Sequence, residues 1–221
     1  MLRETAAFSV ACILASSAHA AGGHHAVDDA SILDPGQCQL ETWFEHVESG
    51  GAAHLAHVGP ACRVGAVELA LNVDAIRSDR GDRTDIGGVQ VKWARSLDEK
   101  VAIGVVVGAA WQDRAPHRIG TSLLIPLTWQ ATESLQVHVN AGRDFLHGAP
   151  GTTHAGVAGE WTASPEWSFV AERFRELHLD RWRLGARRML NANVSVDLSR
   201  AQGLRSAPSS WTLGVNWVFD R

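Results

Sequence analysis

An all-β fold, a transmembrane antiparallel up-and-down β-barrel of about twelve strands, is what three features of this 221-residue sequence predict. Large apolar side chains recur at every second position in segment after segment. The connections between segments alternate in kind, short turn then longer polar loop. Most of the tryptophans stand at segment ends and not in their middles.

The amino terminus precedes that pattern. Residues 1–20 read as a secretory signal peptide that is removed: Arg3 gives a positive start, "AAFSVACILA" a short apolar stretch, and "AHA" small residues at the cleavage site. Cys12 leaves with it. Residues 21–36, "AGGHHAVDDASILDPG", are small, polar and rich in turn formers, and are expected to form a flexible periplasmic arm. Residues 37–221 are then the barrel. No segment approaches the roughly 20 unbroken apolar residues of a membrane helix.

Within 37–221 the alternation marks the strands in order. Residues 37–47 and 54–63 form a first hairpin around "ESGGA". In 66–76 the apolar set is Val67, Leu69, Leu71 and Val73; in 84–97 it is Val89, Val91 and Trp93; in 100–113 it is Val101, Ile103, Val105, Val107 and Trp111. Leu123, Ile125, Leu127 and Trp129 mark 118–131, and Leu135, Val137 and Val139 mark 134–145. Segments 153–163 and 166–177 carry Trp161 and Trp167 beside the turn that joins them. Residues 181–190, then 191–200 with Val194, Val196 and Leu198, and the terminal "SSWTLGVNWVFD" complete the set. Each is near the ten residues that a tilted strand needs to cross a bilayer. Short turns fall near Gly65, Asp98, Thr132, Pro165 and Asn191, with longer loops such as "RSDRGDRTD", "LHGAPGTT", "LHLD" and "AQGLRSAPS" between them. One end of the barrel is therefore trimmed and the other elaborated, as with short periplasmic turns and longer outer loops. An even strand count puts both chain ends on the trimmed side.

Alternation alone fits a soluble all-β sandwich equally well, with the apolar face as its core, so a soluble periplasmic binding protein is an alternative. The tryptophans favour the membrane. Trp129, Trp161, Trp167 and Trp217 lie toward the short-turn ends, and Trp111, Trp182 and Trp211 toward the long-loop ends. Membrane barrels set their aromatic residues in two such girdles at the interfaces.

The ending "WTLGVNWVF" resembles the carboxy-terminal insertion strand of Gram-negative outer-membrane β-barrels, although Asp220 and Arg221 follow its last aromatic residue. The stretch "DDASILDPGQCQLETWFEH", residues 28–46, resembles the first strand of the porins grouped under the MetA pathway of phenol degradation. The resemblance implies an exported cell-outer-membrane protein, with the lipid bilayer, the barrel-assembly machinery and small solutes or ions as partners. It implies a narrow porin-like channel or a structural membrane protein, not an enzyme.

Candidate residues follow from the faces. If the first hairpin folds symmetrically about Gly50, Cys38 faces Cys62 directly, and an oxidising compartment makes the pair a disulfide. The same register faces His46 with His54; with His24 and His25 in the arm, these imidazoles define an alternative reading as a barrel with accessory Cu or Zn binding. The polar face predicts a lumen lined by Glu41, Glu45, Glu68, Asp74, Lys92, His138, Asn140, Glu160 and Glu172, with carboxylates in excess. His138 could be set against Ser122 or Ser168 as a lipid hydrolase would require, but no motif supports catalysis. The net charge of −4 and the absence of basic runs argue against nucleic acid, and no cofactor motif is present.

Overall fold

The computed structural model describes residues 25–48, 53–78, 81–176, 178–204 and 207–221. Twelve antiparallel strands pair in chain order and close on themselves. They are β1 (Gln37–Glu48), β2 (Ala53–Val64), β3 (Val67–Ser78), β4 (Arg83–Ser96), β5 (Val101–Gln112) and β6 (Arg118–Gln130), followed by β7 (Leu135–Leu146), β8 (Thr152–Ser164), β9 (Trp167–Glu176), β10 (Leu179–Met189), β11 (Val194–Gly203) and β12 (Ser209–Asp220). Closure runs through β1 and β12, from Gln37 opposite Asp220 to Glu48 opposite Ser209. A closed sheet leaves no edge, so every strand finds backbone partners on both sides, which a bilayer core requires because no water there can replace them.

The side chains sort by parity, and the apolar set points outward. Leu71, Val73, Leu198 and Leu213 are each more than half exposed, although they are the residues that a soluble core would bury. The inward set is polar and buried: His138, Thr152, Asp197 and Thr212 are each 1% exposed. This distribution is the reverse of a water-soluble barrel and suits a surrounding solvent of hydrocarbon. Trp129, Trp161, Trp167 and Trp217 stand outward near the short-turn end, and Trp111, Trp182 and Trp211 outward near the long-loop end. Aromatic rings at both rims match the two interfaces of a bilayer.

The connections are more even than expected: the loops read as longer span two to five residues between strands, against two to four at the other end, because the strands extend into them. The sequence reads "LHLD" as part of a longer loop, but β9 extends to Glu176 and β10 starts at Leu179, so the link is two residues. His178 takes a left-handed conformation there, with φ of 67°. At the short-turn end the carboxy terminus is tied down. The Arg221 N–H donates to the Gly36 carbonyl at 2.9 Å, and its guanidinium donates to the Arg63 carbonyl at 2.9 Å.

The described part of the expected arm, residues 25–36, is packed and not free. It turns in from β1 at the short-turn rim and runs inside the barrel, where Val27, Asp29, Ala30 and Leu33 are buried. A twelve-strand circumference is too wide for its own side chains to fill, and this segment supplies part of the filling.

Candidate functional site

The arm crosses the lumen on a series of inward side chains. Near the rim, the Leu33 N–H donates to Glu68 Oε2 at 2.9 Å, and the Leu33 carbonyl accepts from Arg63 at 2.9 Å. Further in, the Ala30 N–H donates to Thr128 Oγ1 at 2.8 Å, and Thr128 Oγ1 lies 2.9 Å from His138 Nδ1. Lys92 Nζ donates to Asp28 Oδ1 at 2.8 Å and to Asp29 Oδ1 at 3.0 Å. The Asn140 amide brackets the Asp28 backbone, donating to its carbonyl at 2.8 Å and accepting from its N–H at 2.6 Å. At the far wall Glu172 accepts from the N–H groups of Ala26 and Val27 at 3.3 and 3.0 Å. Arg183 lies 3.2 Å from the same carboxylate. Each strand contributes here because its inward positions alternate with lipid-side ones, so one or two polar residues per strand suffice to build the cradle.

The arm also has an apolar anchor. Val27 joins Ala158, Val170 and Phe174 in a buried cluster inside the barrel. Gly156 makes room for it: a Cβ on that residue would meet Val27 Cγ2 at 2.6 Å. The anchor lies against β8 and β9, on the wall opposite the strand from which the arm springs.

Above and beside the arm a cavity of about 690 Å³ remains. Its wall includes Asp28, Glu41, Glu45, Glu68, Asp74, Asp144 and Glu176, against Lys92, Arg181 and Arg183. Carboxylates therefore exceed permanent cations in the space open to a solute. His57 Nδ1 sits 2.6 Å from Asp74 Oδ1 and stacks on Trp43 with ring centroids 4.7 Å apart.

The lumen residues expected from sequence face inward as a group. Glu41, Glu45, Glu68, Asp74 and Lys92 line the cavity, while His138, Asn140, Glu160 and Glu172 are in the layer around the arm. His138 Nε2 points to Glu160 Oε2 at 3.7 Å. Its partners are Thr128 and Glu160, and among the described residues neither of the two serines considered with it, Ser122 and Ser168, bonds to its ring. Three inward arginines on β10, Arg181, Arg183 and Arg187, are additional. Arg187 binds Asp197 at 2.6 Å. Their signal was present in "RWRLGARRML", where Arg181 and Arg183 alternate with Trp182 and Leu184.

Cys38 and Cys62 are bonded, with Cα atoms 4.0 Å apart, and are direct partners in the β1–β2 register. The same register faces His46 with His54, whose Nδ1 atoms are 3.3 Å apart. The histidines proposed as a metal set do not converge. His46 and His54 occupy outward positions, because the inward positions of β1 are Glu41, Trp43 and Glu45. His25 instead lies inside the lumen, 3.8 Å from Glu172. His24 lies outside the described residues. Among the described residues no group of three or more His, Cys, Asp or Glu side chains could hold a metal ion.

The architecture is shared with solved outer-membrane channels. The COG4313 outer membrane channel from Pseudomonas putida F1 superposes with a TM-score of 0.64 at 10% identity, covering 86% of this chain and 98% of that one. The KdgM porin in complex with disordered oligogalacturonate gives 0.59 at 10% identity, covering 81% and 99%. The NanC porin gives 0.56 at 9% identity, covering 81% and 98%. At such identities the likeness is one of fold. No curated protein matches the sequence. The sequence does match, over residues 9–219, the family described as "Uncharacterised conserved protein UCP029691", and the chain belongs to that family.

Proposed function

We propose that this protein is an outer-membrane channel through which small polar solutes or ions diffuse, and not a catalyst. The observation that carries the reading is the sidedness of the barrel. An apolar exterior with tryptophans at both rims surrounds a polar interior that holds a cavity of about 690 Å³. The solved channels of like fold support the same reading, since each is an outer-membrane porin or channel by name.

In this reading residues 1–20 direct export and are cleaved, and the barrel-assembly machinery inserts the remainder. The short-turn end faces the periplasm, so the arm enters the lumen from that side. The long-loop end faces outward. The arm sets the width of the path, because it occupies part of the lumen and is held by side chains from β3, β4, β6, β7 and β9.

The test is expression of the full chain in a Gram-negative host, followed by isolation of the outer membrane. A band in that fraction whose mobility changes on boiling, and stepwise single-channel currents from the purified protein in a planar bilayer, are the expected results. A protein recovered from the periplasm without detergent, or a membrane barrel that gives no currents, would refute the channel.

A further inference from the structure

The lumen is not evenly charged, and its charges are not evenly paired. The buried cations are spoken for: Lys92 is held by Asp28 and Asp29, Arg183 by Glu172, and Arg187 by Asp197. Of the arginines on the cavity wall, Arg181 stands on β10, in register with Phe174 and diagonal to Glu176. The wall formed by β1 and β12 is different. There Glu41 faces Asn216, Trp43 faces Gly214, Glu45 faces Thr212 and Val47 faces Ser210. Glu45 is 9% exposed, and its Oε1 has no hydrogen-bond partner among the described residues. The Thr212 hydroxyl, the Ser210 hydroxyl and the Asn216 Oδ1 likewise have none. Glu45 Oε1 and Asn216 Oδ1 can only accept, and among the described residues neither receives a hydrogen, although the Thr212 and Ser210 hydroxyls beside them are themselves unengaged.

An aromatic ring stands in the middle of this strip. Trp43 alone among the described tryptophans lines the cavity, two residues from Glu41 on one side and two from Glu45 on the other. Its orientation is fixed by stacking on His57, which Asp74 holds at 2.6 Å. A tryptophan face beside carboxylates and hydroxyls is matched to a positive charge carrying N–H donors. An anionic solute would meet a buried carboxylate with no counter-ion.

We propose that the β1–β12 wall, with Trp43, Glu45 and Thr212 at its centre and Asp74 two strands along from Trp43, is a binding subsite for cationic amine solutes. This inference rests on the channel reading for its role in transport, but binding itself can be measured independently. An amine entering from the long-loop end places its ammonium against Glu45, gives N–H donors to the unpartnered oxygens, and lays its carbon chain along Trp43. The excess of carboxylates over cations around the cavity biases the whole path the same way.

The experiment has two arms on the detergent-refolded protein, with the heat shift on gels as the check of folding for every variant. Calorimetric titration with putrescine is expected to show saturable binding, roughly tenfold weaker in Glu45→Gln because one charge-assisted contact is lost. Asp74→Asn gives a second, independent loss, and Glu166→Gln, in an exposed short turn away from the cavity, leaves binding unchanged. In planar bilayers under a KCl gradient, the reversal potential should report preference for K⁺, and Glu45→Gln should move it toward zero. Absence of putrescine binding, or equal binding by the wild type and both cavity variants, would overturn the subsite. Currents without cation preference and without putrescine binding would leave the channel intact and remove this inference. Glu45-dependent binding without currents would keep the subsite and remove the channel.

Discussion

The two ends of the lumen solve the same problem in opposite ways. Toward the short turns the space inside the barrel is filled by the chain's own residues 25–36, and its charges are closed: Lys92 meets two aspartates, and Glu172 meets an arginine and two backbone N–H groups. Along the β1–β12 wall the cavity is open and several oxygens have no partner among the described residues. A buried charge that is fully paired is rigid and specific; one that is not invites a counter-ion from outside. One half is therefore filled by the chain itself, and the other is left open to groups from outside.

Erasing the contrast outright should have the largest effect. Deleting residues 25–34 while keeping the Pro35–Gly36 turn makes both halves open, and single-channel conductance should rise severalfold with little change in the heat-shift temperature, since the barrel ladder is intact. An unchanged conductance would mean that the arm does not limit the path. A smaller change leaves the arm present but loose: Lys92→Met strands Asp28 and Asp29 in the lumen at a cost of about 3 kcal/mol, the range for breaking a buried pair. It should show as noisy, fluctuating currents and as faster proteolysis of the arm when protease is added to the periplasmic side. Opening the disulfide acts on the wall and not the filling. Cys38→Ser with Cys62→Ser releases a loop with a sequence separation of 24 and should cost roughly 3 kcal/mol at most, read as a lower heat-shift temperature with conductance unchanged. The smallest effect belongs to the open half: Asp74→Asn removes a partly exposed partner of His57 and should cost less than about 1 kcal/mol in stability. A large loss of stability there would show that the open half is as tightly built as the closed one.

What could be read from the sequence follows from local physics. Strands betray themselves because their period is set by backbone geometry, so parity alone sorted Leu69, Leu71 and Val73 from Glu68, Asn72 and Asp74. A hairpin's register follows from its centre, which is why Cys38 with Cys62 and His46 with His54 were legible as pairs. The arm's destination was not. Residues 25–33 have no periodicity, and their partners are remote: Ala26 and Val27 meet Glu172 across sequence separations of 146 and 145, and Ala30 meets Thr128 across 98. Nothing local encodes such a contact. The described members of the histidine set are split for a related reason. Counting histidines ignores that His46 is an even position on a strand whose odd positions face the lumen, so it and His25 stand on opposite sides of the barrel wall. The resemblance to outer-membrane barrels was legible along the whole chain, and that to the MetA-pathway porins on residues 28–46 alone.

The arm is continuous with β1 through a single turn at Pro35 and Gly36, where Gln37 donates its N–H to the Asp34 carbonyl at 3.0 Å. In effect it is a ligand bound to its own receptor by a tether of a few residues. Short tethers hold the bound group at an effective concentration on the order of millimolar, so even weak individual contacts keep the site occupied. A free peptide with the arm's sequence, or a solute that competes for Glu172 or Lys92, would have to reach that concentration before it displaced the arm. Dilution, which strips a detachable ligand from its receptor, would have no effect on this one.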